Sequence, residues 1–486
     1  MLSYRGERGA KTRLTPGSSY ALTRLVIPGE HELEVQAIAR KYLGEKILTA
    51  TVTVEDPKGP IADAEVTVVR SQTTAGTVTT VGTALTVGTM LTRDSEPALI
   101  SLPPGEYSLK ATAIGRGSAM IPLELTSADV HSKIELPLPG YVQGNVTDGT
   151  GHPLPAKIQF RGQGVEDPFF GPETKVFGVR NLQYTADSTF RVEVAPGVYD
   201  LIISRGNEYD ADFRTIHVKR GETTRFTSAL KRSVETSGWL SGELHSHASP
   251  SGDNTASQRG RVLNLLAEHI EFAPCTEHNR ISSYTPPLTS LKVAHLMATC
   301  PGIELTGKPL MVSHQNAFPL EHHPHTQDGG GPTTDENPPV QIERLAMWDN
   351  GSDKLVQQNH PNLEQIWVDR DLDGRRDDGY SKMFGFMDVV EVHPPQGIFS
   401  ERGEKVGPYL NAIFPWLRML NTGYRIPAVV NTDAHYNFHG SGWLRNYIKS
   451  STDDPAKIDV MEMVHEYEHG HVIMANGPYL GVSCQE

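Results

Sequence analysis

The sequence predicts a multidomain protein in which two all-β sandwiches precede an α/β domain of the distorted β/α-barrel type. Three observations carry this. An internal repeat spans the first half, the pattern changes to alternating strands and helices near Ser237-Gly238-Trp239-Leu240, and polar side chains gather at the ends of the later strands. The expected domains are 1–138, 139–235 and 236–486. A chain of 486 residues has room for about three domains at ~150 residues each.

The repeat sets Ile100-Ser101-Leu102-Pro103-Pro104-Gly105-Glu106-Tyr107-Ser108-Leu109 against Val192-Glu193-Val194-Ala195-Pro196-Gly197-Val198-Tyr199-Asp200-Leu201, a displacement of 192 − 100 = 92 positions. That is the size of one small β-sandwich. Pro and Gly make a tight turn, and the tyrosine enters a strand with its ring packed inward. Tyr20 to Ala37, Leu48 to Val54 and Glu65 to Val69 read as strands, being rich in Val, Leu and Thr and bounded by Gly, Pro and Asp. The repeat resembles the carboxypeptidase-regulatory-like sandwich family over about 47–138 and 139–233. That resemblance implies a scaffold, with carbohydrate binding as an alternative.

In the second half, Asn254 or Thr255 can cap a helix carrying Val262, Leu265, Leu266 and Ile270 on one face. Strands are expected at Ile270–Pro274, Gly302–Ile303, Leu310–Val312, Met387–Val390 and Ile426–Val430, and helices at Pro339–Trp348, Tyr409–Leu420 and Ile458–His469. The residues just past each strand are the informative ones. Leu244 precedes His245-Ser246-His247, Cys275 precedes Thr276-Glu277-His278, and Ile303 precedes Glu304. Val312-Ser313 leads to His314, Val356 leads to His360, Val390 leads to Glu391, and Val430 leads to Asp433-Ala434-His435. In a β/α barrel the C-terminal strand ends share one mouth. Positions i and i+2 of a strand face the same way, so His245 and His247 can grip one ion, and Asp433 and His435 can both point inward. Imidazole and carboxylate together suit Zn, Mn or Fe rather than an all-oxygen site.

Over about 236–481 these motifs resemble the PHP (polymerase and histidinol phosphatase) hydrolase superfamily, in its CehA/McbA branch, which includes carbaryl hydrolases. The resemblance implies an esterase or carbamate-hydrolase type of enzyme holding two or three divalent ions. His245, His247 and Asp433 would bind the first, Glu304 would bridge the first and second, and His314 and His360 would complete the second. His278 and His435 would hold a third, with Asp253 as carboxylate partner. The family's Ser-Asp-Gly is replaced here by Ser251-Gly252-Asp253. Glu277, adjacent to His278, should face the other way and is not counted as a ligand. The implied reaction is attack by a metal-bound hydroxide on a carboxylic or carbamate ester, or alternatively on a phosphoester. Glu304 and Asp433 would serve catalysis by holding the ions, and His393 or His439 would protonate the leaving group. The implied partner is a small ester or phosphoester. A runner-up is a non-catalytic module binding metal and carbohydrate.

Other signals leave two readings each. Asp369, Asp371 and Asp373, with Asp378 closing a shortened loop, form either a structural Ca²⁺ loop or a solvated acidic turn. His465-Glu466-Tyr467-Glu468-His469 matches HExxH, or else places His at a helix C-terminus for the ordinary dipole reason. His322, His323 and His325 ahead of Gly329-Gly330-Gly331 mark a lid or a surface loop. Of three cysteines, Cys275 and Cys300 are buried thiols or one disulfide, and Cys484 stands alone.

Net charge is −14, from 44 basic and 58 acidic residues. That argues against non-specific nucleic-acid binding, which needs a basic face. No apolar run reaches the ~18 residues a spanning helix requires, so no membrane partner is expected. The start, Met1-Leu2-Ser3-Tyr4-Arg5, lacks the apolar core of a secretory signal. A cytoplasmic protein is expected on the sequence as given, or a periplasmic or secreted one if a leader has been removed. Asn476 to Leu480 reads as the start of another strand.

Overall fold

The computed structural model describes residues 25–71, 84–93, 96–126, 130–367, 371, 373–375, 379–392, 405–406, 409–410, 413–438 and 441–481. The chain divides into two compact units, Met1–Leu138 and Pro139–Glu486. Both are built mostly from β-strands. No helix among the described residues is long and apolar enough to cross a membrane.

The first unit opens with α1 (Glu32–Tyr42). A strand was expected over part of this stretch, because Val, Leu and Ile are frequent there. The spacing decides otherwise. Leu33 and Ala37 lie one turn apart and are both buried. The ring of His31 caps Glu34 N at 3.3 Å, with Glu32 and Glu34 in the first turn and Arg40 and Lys41 in the last. A Cβ at Gly88 would lie 2.6 Å from Leu33 Cδ2, so this close approach requires glycine. Eight strands come next: β1 (Leu48–Asp56), β2 (Gly59–Pro60), β3 (Glu65–Ser71), β4 (Ala84–Leu91), β5 (Ala98–Leu102), β6 (Gly105–Thr112), β7 (Ser118–Leu125) and β8 (Val130–Glu135). One sheet has the order β2-β1-β5 with β8 parallel to β1, and the other has the order β4-β3-β6-β7. Ala50, Val52, Val54 and Ile100 share one core with Val66, Val68, Leu109 and Ala111.

The second unit begins with β9 (Gly140–Asp148), β10 (Ala156–Gln163), β11 (Gly178–Val179), β12 (Leu182–Thr185), β13 (Thr189–Val194), β14 (Gly197–Ser204), β15 (Asp212–Val218) and β16 (Thr223–Leu230). They form sheets ordered β11-β12-β10-β14-β15 and β13-β9-β16. The repeat is visible in three dimensions: Tyr107 and Tyr199 are buried, and their hydroxyls donate to Pro103 O at 2.9 Å and Ala195 O at 2.8 Å.

Beyond Glu235 come β17 (Trp239–Gly242), α2 (Gln258–Ala267), α3 (Thr285–Leu291), β18 (Ile303–Thr306), β19 (His314–Phe318), α4 (Pro338–Ala346), α5 (Trp348–Gly351), β20 (Leu355–Gln358), α6 (Leu363–Ile366) and β21 (Val389–Glu391). The last elements are β22 (Lys405–Val406), β23 (Tyr409–Leu410), α7 (Ile413–Asn421), β24 (Ala428–Val429), β25 (Arg445–Lys449), α8 (Val460–Glu468) and β26 (Val472–Ala475). The expected PHP-type barrel is corrected here. The ladder strands form a five-stranded sheet, β18-β19-β20-β21-β24, and a separate antiparallel sheet, β17-β25-β26. In the larger sheet β18, β19 and β20 run antiparallel, while β20, β21 and β24 run parallel. The cause is local. Residues 310–312 form a turn rather than a strand, so β18 folds straight back as β19 with no crossover helix. Residues 242–246, 272–278 and 298–304 join through isolated parallel bridges only: Gly242 to Phe272, Phe272 to Ala298, Cys275 to Pro301, His278 to Glu304, and Ser246 to Ala434. Residues 476–480 are not a strand, and residues 409–410 belong to β23 rather than to a helix.

The sandwich of the second unit is welded to α2. Val179, Leu182 and Tyr184 share a core with Val262, Leu263 and Leu266. Arg205 donates to Pro155 O and Leu266 O, and Lys157 pairs with Glu268. Buried Glu208 meets Arg232 at 2.6 Å, His269 at 3.2 Å and Arg445 at 3.7 Å. Burial alone would raise the Glu208 pKa, but the contacts with His269, Arg232 and Arg445 outweigh it and bring it to about 2. Glu208→Gln is therefore expected to cost about 3 kcal/mol, the scale for breaking a buried pair. Because the folded pKa lies below the unfolded value of ~4.3, the contribution is full above that pH and lost as pH falls toward 2. Urea unfolding of wild type and variant should show a gap that narrows below pH ~4.5. A gap that is constant, or that widens in acid, would refute this.

Candidate metal centre

The site is built on strand alternation. Residues 243–247 run beside 432–435, with His247 N donating to Ala434 O at 2.9 Å and Asp433 N to His245 O at 3.0 Å. His245 and His247, two residues apart, bring their Nε2 atoms within 3.1 Å of each other. Asp433 holds a left-handed backbone (φ 48°), and its Oδ1 lies 3.3 Å from His245 Nε2 and 3.1 Å from His247 Nε2. Glu304 on β18 stands at the centre. Its Oε1 is 3.5 Å from His245 Nε2, 3.0 Å from His314 Nδ1 and 3.8 Å from His360 Nε2. Its Oε2 is 3.5 Å from His247 Nε2 and 2.5 Å from His278 Nδ1. At the rim, Asp253 Oδ2 lies 3.2 Å from His278 Nε2 and 3.3 Å from His435 Nε2.

The structure thus brings together His245, His247, Asp253, His278, Glu304, His314, His360, Asp433 and His435. Three groups have ligand atoms within 4.8 Å of one another: His245 with His247 and Asp433, His245 with Glu304 and His360, and His247 with His278 and His435. The third group draws in His247, which the sequence reading assigned to the first ion alone. His314 reaches Glu304 through Nδ1, leaving its Nε2 buried without a hydrogen bond.

An outer layer holds several of these rings. His245 Nδ1 contacts Glu391 Oε2 at 2.8 Å, and His247 Nδ1 contacts Ser251 Oγ at 3.1 Å. Ser251 Oγ in turn donates to Glu277 at 2.6 Å. His278 Nδ1 meets Thr306 Oγ1 at 2.6 Å, His435 Nδ1 meets Asp433 O at 2.8 Å, and Asn359 Nδ2 donates to Glu304 at 2.9 Å. With Nδ1 held, Nε2 of His245, His247 and His435 is turned inward. Of these partners the sequence singles out Glu391 at a strand end, but assigns no ring-holding role to it, to Ser251, to Thr306 or to Asn359. Thr306 was within reach, two residues beyond Glu304 on the same strand face.

Electrostatics follow from burial. Burial pushes His247 down to about 4 and also lowers His360. For His245 burial acts downward too, but Asp433, Glu391 and Glu304 outweigh it and hold the ring well above its usual range. Burial would raise Glu304 and Asp433, yet the imidazoles around them hold both well below the usual carboxylate range. This nitrogen and carboxylate set, with a buried His314 Nε2 that has no hydrogen bond, fits divalent Zn, Mn or Fe.

Other candidates fare differently. His393, His439, Asp369 and Asp378 lie outside the described residues. Asp371 and Asp373 are exposed, and Asp373 N donates to Asp371 Oδ1 at 3.3 Å. His465 sits at the surface beside Asp353, at 2.9 Å, and His469 caps the C-terminus of α8. The glycine run is tied down, with Ile281 N donating to Asp328 O and His323 N to Gly329 O. Glu208, His269 and Glu271 also lie close together, but Arg232 and Arg445 already balance Glu208, so that cluster offers no net charge to a cation.

No family model matches the chain. No curated protein matches it. Solved structures do match over part of its length. The Bacillus anthracis TIE protein shares 16% identity over 43% of this chain and 38% of its own, with a TM-score of 0.17. A streptococcal ancillary pilin shares 16% identity over 39% of this chain and 63% of its own, at 0.21. The shaft pilin SpaA of Lactobacillus rhamnosus GG shares 12% identity over 39% of this chain and 99% of its own, at 0.24. The chain therefore spans less than two thirds of the first two. No family model places the chain with the PHP or CehA/McbA hydrolases, and that resemblance is corrected accordingly. With it go the carboxypeptidase-regulatory-like family, the esterase or carbamate-hydrolase enzyme class and the small ester or phosphoester partner. The β-rich multidomain architecture remains. The likenesses are too slight to lend this chain any property of the pilins.

Cys275 and Cys300 are both free and fully enclosed. Burial raises both thiols above their usual range. In native protein at pH 8 neither should react with a thiol reagent, leaving at most one equivalent from Cys484, whereas denatured protein should titrate all three cysteines. Two or more fast-reacting thiols in the native state would contradict this burial.

Proposed function

We propose that this protein binds two or three divalent transition-metal ions, zinc, manganese or iron, in the pocket around Glu304. One observation carries the reading: a fully buried carboxylate lies within 3.8 Å of five imidazoles, those of His245, His247, His278, His314 and His360. His245, His247 and Asp433 would hold one ion, Glu304 with His314 and His360 a second, and His278, His435 and Asp253 a third. When bound, such ions supply Lewis acidity, polarising a carbonyl or phosphoryl oxygen and acidifying water. The chain's own residues supply the rest. Glu391, Ser251 and Thr306 orient the rings, Asn359 fixes Glu304, and the exposed Asp253 marks the open side.

Elemental analysis of metal-loaded, desalted protein is expected to give two or three ions per chain. Glu304→Gln should weaken the tightest binding by at least about 100-fold, since loss of an outer partner alone commonly costs 10- to 100-fold. His465→Ala should leave the ion count unchanged. No bound ion, or counts indifferent to Glu304→Gln, would overturn the reading.

A further inference from the structure

We propose that the sandwich spanning β9 to β16 is a working wall of the metal centre, and that Tyr184 is a positioning residue for His435. The inference rests on the metal reading for its readout in ions, though not for its geometry.

The segment 433–438 carries Asp433 and His435 at one end and is gripped at the other by residues of the sandwich. The buried Tyr184 hydroxyl, on β12, donates to Asn437 O at 2.6 Å. Asn437 Nδ2 donates back to Glu173 O at 2.6 Å. The Arg180 guanidinium lies 3.8 Å above the Phe438 ring. Asn437 is itself buried, and it packs so closely on α2 that a Cβ at Gly260 would come within 2.1 Å of its Nδ2. Glycine inside a helix costs ~1 kcal/mol relative to alanine, and here it makes room for that contact.

The middle of the segment is held from α2. Arg261, fully buried, donates through Nε to His247 O at 3.0 Å and through Nη2 to Ala434 O at 3.0 Å, so one guanidinium ties both ligand-bearing segments. Its Nη1 donates to Asn264 Oδ1 and Ser441 Oγ. Because β12 and α2 share a core, the grip at Asn437 and the grip at Ala434 belong to one rigid surface. His435 stands between them, two residues from Asn437 and next to Ala434. Loosening Asn437 frees His435 to leave the position where its Nε2 faces Asp253.

Tyr184→Phe removes one hydroxyl and little else. Tyr199→Phe is the control: it removes the hydroxyl of another buried tyrosine, one that also donates to a backbone carbonyl, Ala195 O at 2.8 Å, inside the same sandwich. Metal titration should show Tyr184→Phe weakening the last-filling ion about tenfold, with the first ion unaffected and Tyr199→Phe like wild type. Hydrogen exchange should speed up at the amides of 434–438 in Tyr184→Phe only. Equal effects from both variants, or no effect from Tyr184→Phe, would overturn the inference while leaving the metal reading intact. Should wild type bind no ions, that reading fails by itself, and hydrogen exchange alone decides the role of Tyr184.

Discussion

Everything in the second unit answers to one constraint: the Glu304 carboxylate has no contact with solvent. Moving an isolated carboxylate into a low-dielectric interior costs several kcal/mol even after relaxation. Water cannot offset that here, so the protein must. It does so with five imidazoles and the Asn359 amide. An imidazole is an adaptable partner, because it offers either a proton or a lone pair. With protons, the cluster balances its charge through rings such as His245. With cations, the same nitrogens would donate lone pairs, and the carboxylates would remain ionised. Exchange of protons for metal would make uptake at such a site depend on pH.

That exchange demands fixed ring orientations, and the surroundings supply them from distant parts of the chain. Glu391 reaches His245 across 146 positions, and Asn359 reaches Glu304 across 55. Glu243, just ahead of the first histidine, accepts from Thr432 N at 3.0 Å, Thr432 Oγ1 at 2.9 Å and Gly442 N at 3.0 Å. Burial pushes its pKa up to about 7 despite those bonds. The left-handed turn at Asp433 sits between that anchor and the bridge at Ala434. Strain of this kind persists only where neighbours over-determine it, and here both neighbours are held.

This explains what was legible in the sequence. Ligand geometry set by period-2 spacing is local, so the pairing of His245 with His247 could be read directly, as could the presence of Glu304 and His360 near strand ends. Convergence could be read only by assuming a barrel, and the structure reaches it by another route: a mixed sheet plus isolated bridges. The turn at 310–312 escaped notice because Leu-Met-Val is apolar enough to pass for a strand, although Gly307 and Pro309 ahead of it favour a turn. Helix α1 was misread because Val and Ile weighed more than the spacing of Leu33 and Ala37. The family resemblance fails for a related reason. It rested on a handful of ligand positions, and ligand spacing reports what a cation requires, whereas a family is a property of the whole chain.

The same distinction bears on where the functional unit ends. Composition places a boundary near Ser237, yet the described residues from Pro139 onward form one compact unit. Helix α2 shows why. Of its ten residues the eight from Gly260 to Ala267 are buried, Arg261 and Asn264 among them. A helix covered nearly all round must have a partner on each side, and at ten residues it would be marginal alone in water. One side meets the ligand segments through Arg261. The other meets Val179, Leu182 and Tyr184 of the sandwich. Without the sandwich that apolar side would face water. The sandwich thus holds α2 in place, and α2 carries the Arg261 that joins His247 O to Ala434 O.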